Sequence, residues 1–206
     1  MTWEIFNAIG TIAFAISGAI VALEEEYDIL GVYVLGMVTA FGGGTIRNLL
    51  IGIPVSEIWD QGPLFIMAIT VITFVFLFPM GALKQWGKWG TFTDAIGLST
   101  FAILGALYAT EMNHPLSAII MASLLTGSGG GIIRDLLAGR KPVVLREDIY
   151  GAWAMLSGLL IGIGAVNQTW GIYFLFISVV TLRMLTVKYN WKLPHRTIKN
   201  QQDVNM

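Results

Sequence analysis

The chain has no cysteine, which excludes disulfides and thiolate metal sites and says nothing about redox compartment. Two histidines in 206 residues leave little for an imidazole metal site. Charge is scarce: Asp, Glu, Lys and Arg make up 12% of the chain, about half the share usual in soluble domains. The 12 Lys and Arg nearly balance the 13 Asp and Glu, so there is no basic field to hold nucleic acid. No Gly-Lys-Ser/Thr sequence marks a phosphate loop, and neither an enzyme activity nor a cofactor is expected. Apolar residues fill the rest. They reach 55%, with mean hydropathy +0.72, too little polar surface for a soluble domain of this size. Twenty-four glycines fit a membrane protein better than a soluble one.

A bilayer crossing takes about 20 apolar residues. Charge-poor stretches run over 5–23, 29–53, 63–83, 95–110, 112–133 and 149–182, the last dividing at Asn167-Gln168-Thr169 into 149–166 and 170–187. This predicts an all-α membrane protein of seven transmembrane helices. Met1-Thr2-Trp3-Glu4 lacks the basic opening of a secretory signal, so the first span is read as retained. Numbered along seven spans, Lys84, Lys88, Arg140, Lys141, Arg146, Lys188, Lys192, Arg196 and Lys199 share one side, and the opposite loops hold no Lys or Arg. The positive-inside rule then puts the N-terminus outside and the C-terminus in the cytoplasm. Six or eight helices would scatter the basic residues over both sides. The tryptophans fall mostly near predicted span ends, where an interfacial belt is expected.

Shifted by 87 residues, the chain matches itself. Asn7-Ala8-Ile9-Gly10 falls on Asp94-Ala95-Ile96-Gly97, and Phe14-Ala15-Ile16 on Phe101-Ala102-Ile103. Gly42-Gly43-Gly44-Thr45-Ile46-Arg47-Asn48-Leu49-Leu50 falls on Gly129-Gly130-Gly131-Ile132-Ile133-Arg134-Asp135-Leu136-Leu137. Three spans per copy make the repeat inverted, with a pseudo-two-fold axis in the membrane plane. The expected layout is three plus three plus one: repeat one over about 4–83, repeat two over about 91–166 and a seventh helix over about 170–187. Residues 1–190 form one transmembrane domain, and 191–206 a polar cytoplasmic tail.

Each glycine inside a helix costs about 1 kcal/mol relative to Ala, and backbone freed at membrane depth needs protein or a wet cavity beside it. Helices two and five are therefore expected to break or bend at Gly42–Gly44 and Gly129–Gly131, freeing carbonyls for cations. Close helix contact through small residues is the competing explanation. Arg47 and Arg134 are the costliest residues of the spans and point to an ion or ligand path, with snorkelling to headgroups as the alternative. Neighbouring helical residues do not face each other, so Asp135 is expected to meet Arg47 across the repeats. Asp94, at the head of the fourth span, reads equally as an N-cap or as part of the site. Thr39 and Thr126 coincide in the repeat just before the glycines and are placed on the path. The other hydroxyls in the spans, Ser17 among them, are expected to bond back to helix carbonyls. His114 is expected at a membrane surface.

The doubled Gly-Gly-Gly-x-x-Arg-[Asn/Asp]-Leu-Leu motif, in a seven-helix chain of this length, resembles the trimeric intracellular cation (TRIC) channel family. It more closely resembles the bacterial branch, which also carries the name of glycine transporters. The likeness runs from residue 4 to about 187. It implies a homotrimer in the bacterial cell membrane, with an hourglass pore in each subunit that passes potassium and, less readily, sodium. Helices two and five would line that pore, placing Gly42, Gly43, Gly44, Arg47, Gly129, Gly130, Gly131, Arg134 and Asp135 along it. The Lys-rich motif of animal members is replaced here by Arg134-Asp135, which puts lipid gating in doubt. A carrier for glycine is the alternative function: Arg would hold the carboxylate and Asp135 the ammonium.

Overall fold

The computed structural model describes residues 2–78, 86–146 and 149–191. Among them all regular structure is helical: α1 (Thr2–Glu24), α2 (Ile29–Ile51), a 3₁₀ turn (Val55–Asp60), α3 (Gly62–Leu77), α4 (Trp86–Glu111), α5 (Leu116–Leu137), the single turn α6 (Val143–Arg146), α7 (Tyr150–Gly162) and α8 (Thr169–Tyr189). The end of the third expected span, Lys84 and the tail from residue 192 onward lie outside the described residues.

Local chemistry sets the ends. Asp28, in extended backbone, accepts a hydrogen bond from the Gly31 amide at 2.8 Å and starts α2. Gly52 stops it in the left-handed region (φ 78°), which a side chain would resist. Pro63 occupies the first turn of α3, where its missing N–H costs nothing.

Helices α1, α2, α4, α5 and α8 are long and apolar enough to cross a membrane. The 16 residues of α3 and 13 of α7 rise only about 24 and 20 Å, against about 30 Å of hydrocarbon. The break at Asn167-Gln168-Thr169 falls between α7 and α8 as expected. In contrast, α4 begins at Trp86, well before the expected 95. Its first turns, Trp86-Gly87-Lys88-Trp89-Gly90, are polar enough to leave a hydropathy window yet still helical.

Four helices form the centre. α1 packs on α2, α4 packs on α5, and the pairs join through α1 on α4 and α2 on α5. α3 lies against α1 and α2, α7 against α4 and α5, and α8 against α4 and α7. Contacts at one position recur 87 residues on. The Phe14 ring fills the space a Cβ on Gly97 would need, and Phe101 crowds Gly10 in the same way. The two rings meet at 5.3 Å between centroids. Gly18 lies against the Leu35 carbonyl and Thr39 hydroxyl, and Gly105 against the Ala122 carbonyl and Thr126 hydroxyl.

Both glycine triplets are wound as continuous α-helix, which corrects the expected breaks. The reason is close approach. A Cβ on Gly43 would overlap the Thr126 carbonyl, and one on Gly130 the Thr39 carbonyl. Dense contact across the α2–α5 crossing replaces what the missing side chains would bury.

Candidate functional site

Arg134 lies one turn after Gly131 on α5 and is 4% exposed. Its Nη1 donates to Asp94 Oδ1 at 2.7 Å and to Ser17 Oγ at 2.6 Å. Its Nε donates to Asp135 Oδ1 at 2.8 Å, and Nη2 lies 2.8 Å from the same oxygen. Asp135 Oδ2 accepts from the Val143 amide at 2.9 Å, which ties the start of α6 to α5. A buried guanidinium thus has two buried carboxylates and a hydroxyl around it, as a charge in a low-dielectric interior requires.

This arrangement corrects the expectations for Asp135 and Ser17 and decides between the two readings of Asp94. Asp135 meets its chain neighbour Arg134 rather than Arg47, because the long arginine side chain wraps around the helix to reach it. Asp94 is no N-cap, since α4 begins two turns earlier. Ser17 accepts from Arg134 instead of bonding to its own helix.

Arg47 is 5% exposed but differently held. Its Nε and Nη2 both donate to Asn48 Oδ1, at 3.0 and 2.8 Å. Its guanidinium carbon lies 4.0 Å from the centre of the Tyr108 ring, a cation–π contact. Trp3 in turn meets Tyr108 edge-on at 4.6 Å.

Each arginine borders a cavity. One of about 410 Å³ is lined by Ser17, Glu24, Asp94, Arg134, Asp135, Arg140, Lys141 and Arg183, among others. Another, of about 20 Å³, is lined by Asn7, Thr11, Gly44, Arg47, Asn48 and Gln61 among others. The α2–α5 crossing at Gly43 and Gly130 involves neither of them. The third glycine of each triplet faces its arginine: a Cβ on Gly44 would sit 3.9 Å from Arg47 Nη2, and one on Gly131 3.7 Å from Arg134 Nη2. Gly42 and Gly129 instead face Ile133 and Ile46 of the opposite helix.

Thr39 and Thr126 are fully buried and turn back onto the Leu35 and Ala122 carbonyls at 2.6 and 2.5 Å. They belong to the helix contacts and line neither cavity. His114 is half-buried, with Nε2 3.1 Å from the Ile51 carbonyl. Trp59, Trp89, Trp170 and Trp191 are exposed, whereas Trp153 donates its indole N–H to Thr186 Oγ1 at 3.1 Å.

At the mouth of the larger cavity, Arg140 reaches Glu25 Oε1 at 2.5 Å and Glu24 Oε2 at 2.9 Å. Partial burial disfavours its charge. The hydrogen bonds to Glu25 and Glu24 outweigh that and hold its pKa above the ordinary value.

Sequence reasoning missed Arg183 and Tyr150. Both are buried, and the Arg183 guanidinium lies 4.6 Å from the centre of the Tyr150 ring. A charge inside the last apolar run was a readable signal for Arg183. Tyr150 carried none.

These features define a polytopic helical membrane protein with buried arginine clusters beside a glycine-packed helix crossing. Residues 4–80 and 91–166 match the family described as Glycine transporter, and the chain belongs to it. It is 62% identical over 199 residues to the membrane protein YvgT of Bacillus subtilis, covering 97% of this chain and 98% of that one. A solved structure describing conductance through TRIC cation channels matches with TM-score 0.83 and 35% identity, over 97% of this chain and 100% of that one. The TRIC trimeric intracellular cation channel orthologue from Rhodobacter sphaeroides matches with TM-score 0.81 and 30% identity, over 92% and 98%. The fold is TRIC-like, and these neighbours are channels rather than enzymes.

Proposed function

We propose that the chain is a monovalent cation channel that passes potassium, and sodium less readily, through each protomer. The observation that carries this reading is the pair of cavities bordered by the buried arginines of α2 and α5. The Gly43–Gly130 crossing, which neither cavity includes, forms the neck of an hourglass. Conduction then needs α2 and α5 to part at that neck, because neither helix is broken there to offer free carbonyls. The names of the solved neighbours as cation channels support the same reading.

In this reading α3 and α7, although short, also cross the membrane, giving seven spans. The recurrence of contacts at an interval of 87 residues supports the inverted three-plus-three arrangement. The distribution of basic residues supports an N-terminus outside and a C-terminus in the cytoplasm of a bacterial cell membrane, and in this reading the assembly is a homotrimer. Residues 1–190 are one transmembrane domain, with its path along Gly44, Arg47, Asp94, Gly131, Arg134 and Asp135.

The test is potassium flux from proteoliposomes holding the purified chain, with single-channel currents in planar bilayers. Ohmic potassium current supports the proposal. Saturable glycine uptake without current would sink the proposal and make the chain a carrier.

A further inference from the structure

The two arginines differ in charge balance. Around Arg134 stand two carboxylates, Asp94 and Asp135. Around Arg47 the matching positions are Asn7 and Asn48, both neutral. Among the described residues no carboxylate lies within ion-pair distance of Arg47, and Glu57 acts on it only over a longer range. A buried cation without a counter-charge is costly, and one acceptor, Asn48 Oδ1, takes both of its hydrogen bonds. Nη1 makes none among the described residues.

The cavity beside it has the chemistry to supply the missing charge. Apart from Arg47 its lining is uncharged, and it brings donors together: the amides of Asn7 and Gln61, the Thr11 hydroxyl and the guanidinium. The side chains of Asn7, Thr11 and Gln61 make no hydrogen bond among the described residues. Gly44 keeps the space open. Its volume of about 20 Å³ suits one particle a little larger than a water, which excludes an amino acid or a phosphate.

We propose that this pocket is a binding site for a single small halide, chloride in the cell, held by Arg47 with Asn7, Thr11 and Gln61. The halide is the counter-charge that Asp135 supplies in the other half of the molecule. Its role in conduction, neutralising Arg47 so that a cation can pass, rests on the channel reading. The site itself does not.

The test uses the full chain in detergent. Potassium chloride is titrated against potassium gluconate, whose anion is too large for the cavity, at constant ionic strength. Unfolding temperature and chloride NMR linewidth are read. Chloride should raise the unfolding temperature saturably and broaden its own line, and bromide should replace it. Both effects should vanish in Arg47→Gln, and in Asn48→Asp, whose carboxylate takes the place of the anion. In chloride Asn48→Asp should melt no lower than the unmodified chain. Should Arg47→Gln not fold, Asn48→Asp decides alone. No response in the unmodified chain, as with water as the only occupant, overturns the site. So does an undiminished response in Asn48→Asp. Potassium flux is scored separately: chloride binding without flux removes the channel and keeps the site, and flux without chloride binding does the reverse.

Discussion

Gly43 on α2 and Gly130 on α5 hold each other's helices at backbone contact, each against the carbonyl of the threonine four residues before the other. Helix propensity alone would favour Ala at either position by about 1 kcal/mol, and overpacking costs about 1–3 kcal/mol. With backbone as the obstacle, overpacking wins. Gly43→Ala and Gly130→Ala should therefore lower the unfolding temperature of the purified protein. Gly44→Ala and Gly131→Ala should leave it unchanged or raise it, since the nearest atoms to their added Cβ lie at 3.9 and 3.5 Å. Equal losses at all four would show that the first pair has no special place in the crossing.

Asp94→Asn removes one of the two charges facing Arg134. Breaking a buried ion pair costs about 3–5 kcal/mol when nothing replaces the partner. Asp135 remains, so a loss at the low end, roughly 3 kcal/mol, is expected in denaturant or thermal unfolding. A change below about 1 kcal/mol would mean that Asp135 alone balances the guanidinium.

Arg140 gives the opposite case. Its contacts to Glu24 and Glu25 are short, yet all three side chains are about one-third exposed. Ion pairs of that exposure contribute at most about 1 kcal/mol each and are screened by salt. Arg140→Gln should destabilise the protein less than Asp94→Asn. The difference from the unmodified chain should shrink as potassium gluconate is raised. A salt-independent loss as large as that of Asp94→Asn would place Arg140 among the buried charges.

Ser123 on α5 lies 2.8 Å from the Ala102 carbonyl of α4 and 2.7 Å from the Ala154 carbonyl of α7. Its one proton serves both. Interhelical hydrogen bonds within membranes contribute about 0.6 kcal/mol on average, at most about 1.7. Ser123→Ala should cost no more than that in unfolding measurements. Ser123→Leu should cost far more, because α7 comes so close here that even a Cβ on Gly158 would overlap the Ser123 Cβ.

Five of the spans were legible because hydropathy reports on lipid directly. Among the described residues the boundary furthest from expectation is the start of α4, where Trp86–Gly90 is helical yet low in hydropathy. The self-match of the sequence at 87 residues located both arginines. Its glycines were misjudged: propensity counts what a glycine loses within its own helix, while Thr126 and Thr39, far away in the chain, decide what it gains. The partners of Arg134 were hidden for a related reason. Adjacent residues point apart on a helix, but an arginine is long enough to reach back to Asp135. Ser17 and Tyr150 are single polar residues in apolar runs, and no spacing rule ties them to Arg134.

Arg134→Gln tests the proposed path. With the guanidinium gone, Asp94 and Asp135 would line the 410 Å³ cavity without their nearest counter-charge. The lining also holds Glu24, Arg140, Lys141 and Arg183, so losing Arg134 takes it from a net positive charge to neutral and repels cations less, an effect that weakens with ionic strength. Unitary potassium conductance in planar bilayers should therefore rise in Arg134→Gln, most at low salt. The double variant Arg134→Gln/Asp94→Asn should return towards the unmodified value, because one of the two uncompensated charges is removed again. Size-exclusion elution of both proteins checks that the fold has survived. Single-channel records from a folded Arg134→Gln that match the unmodified chain at every salt concentration would take this cavity out of the conduction path.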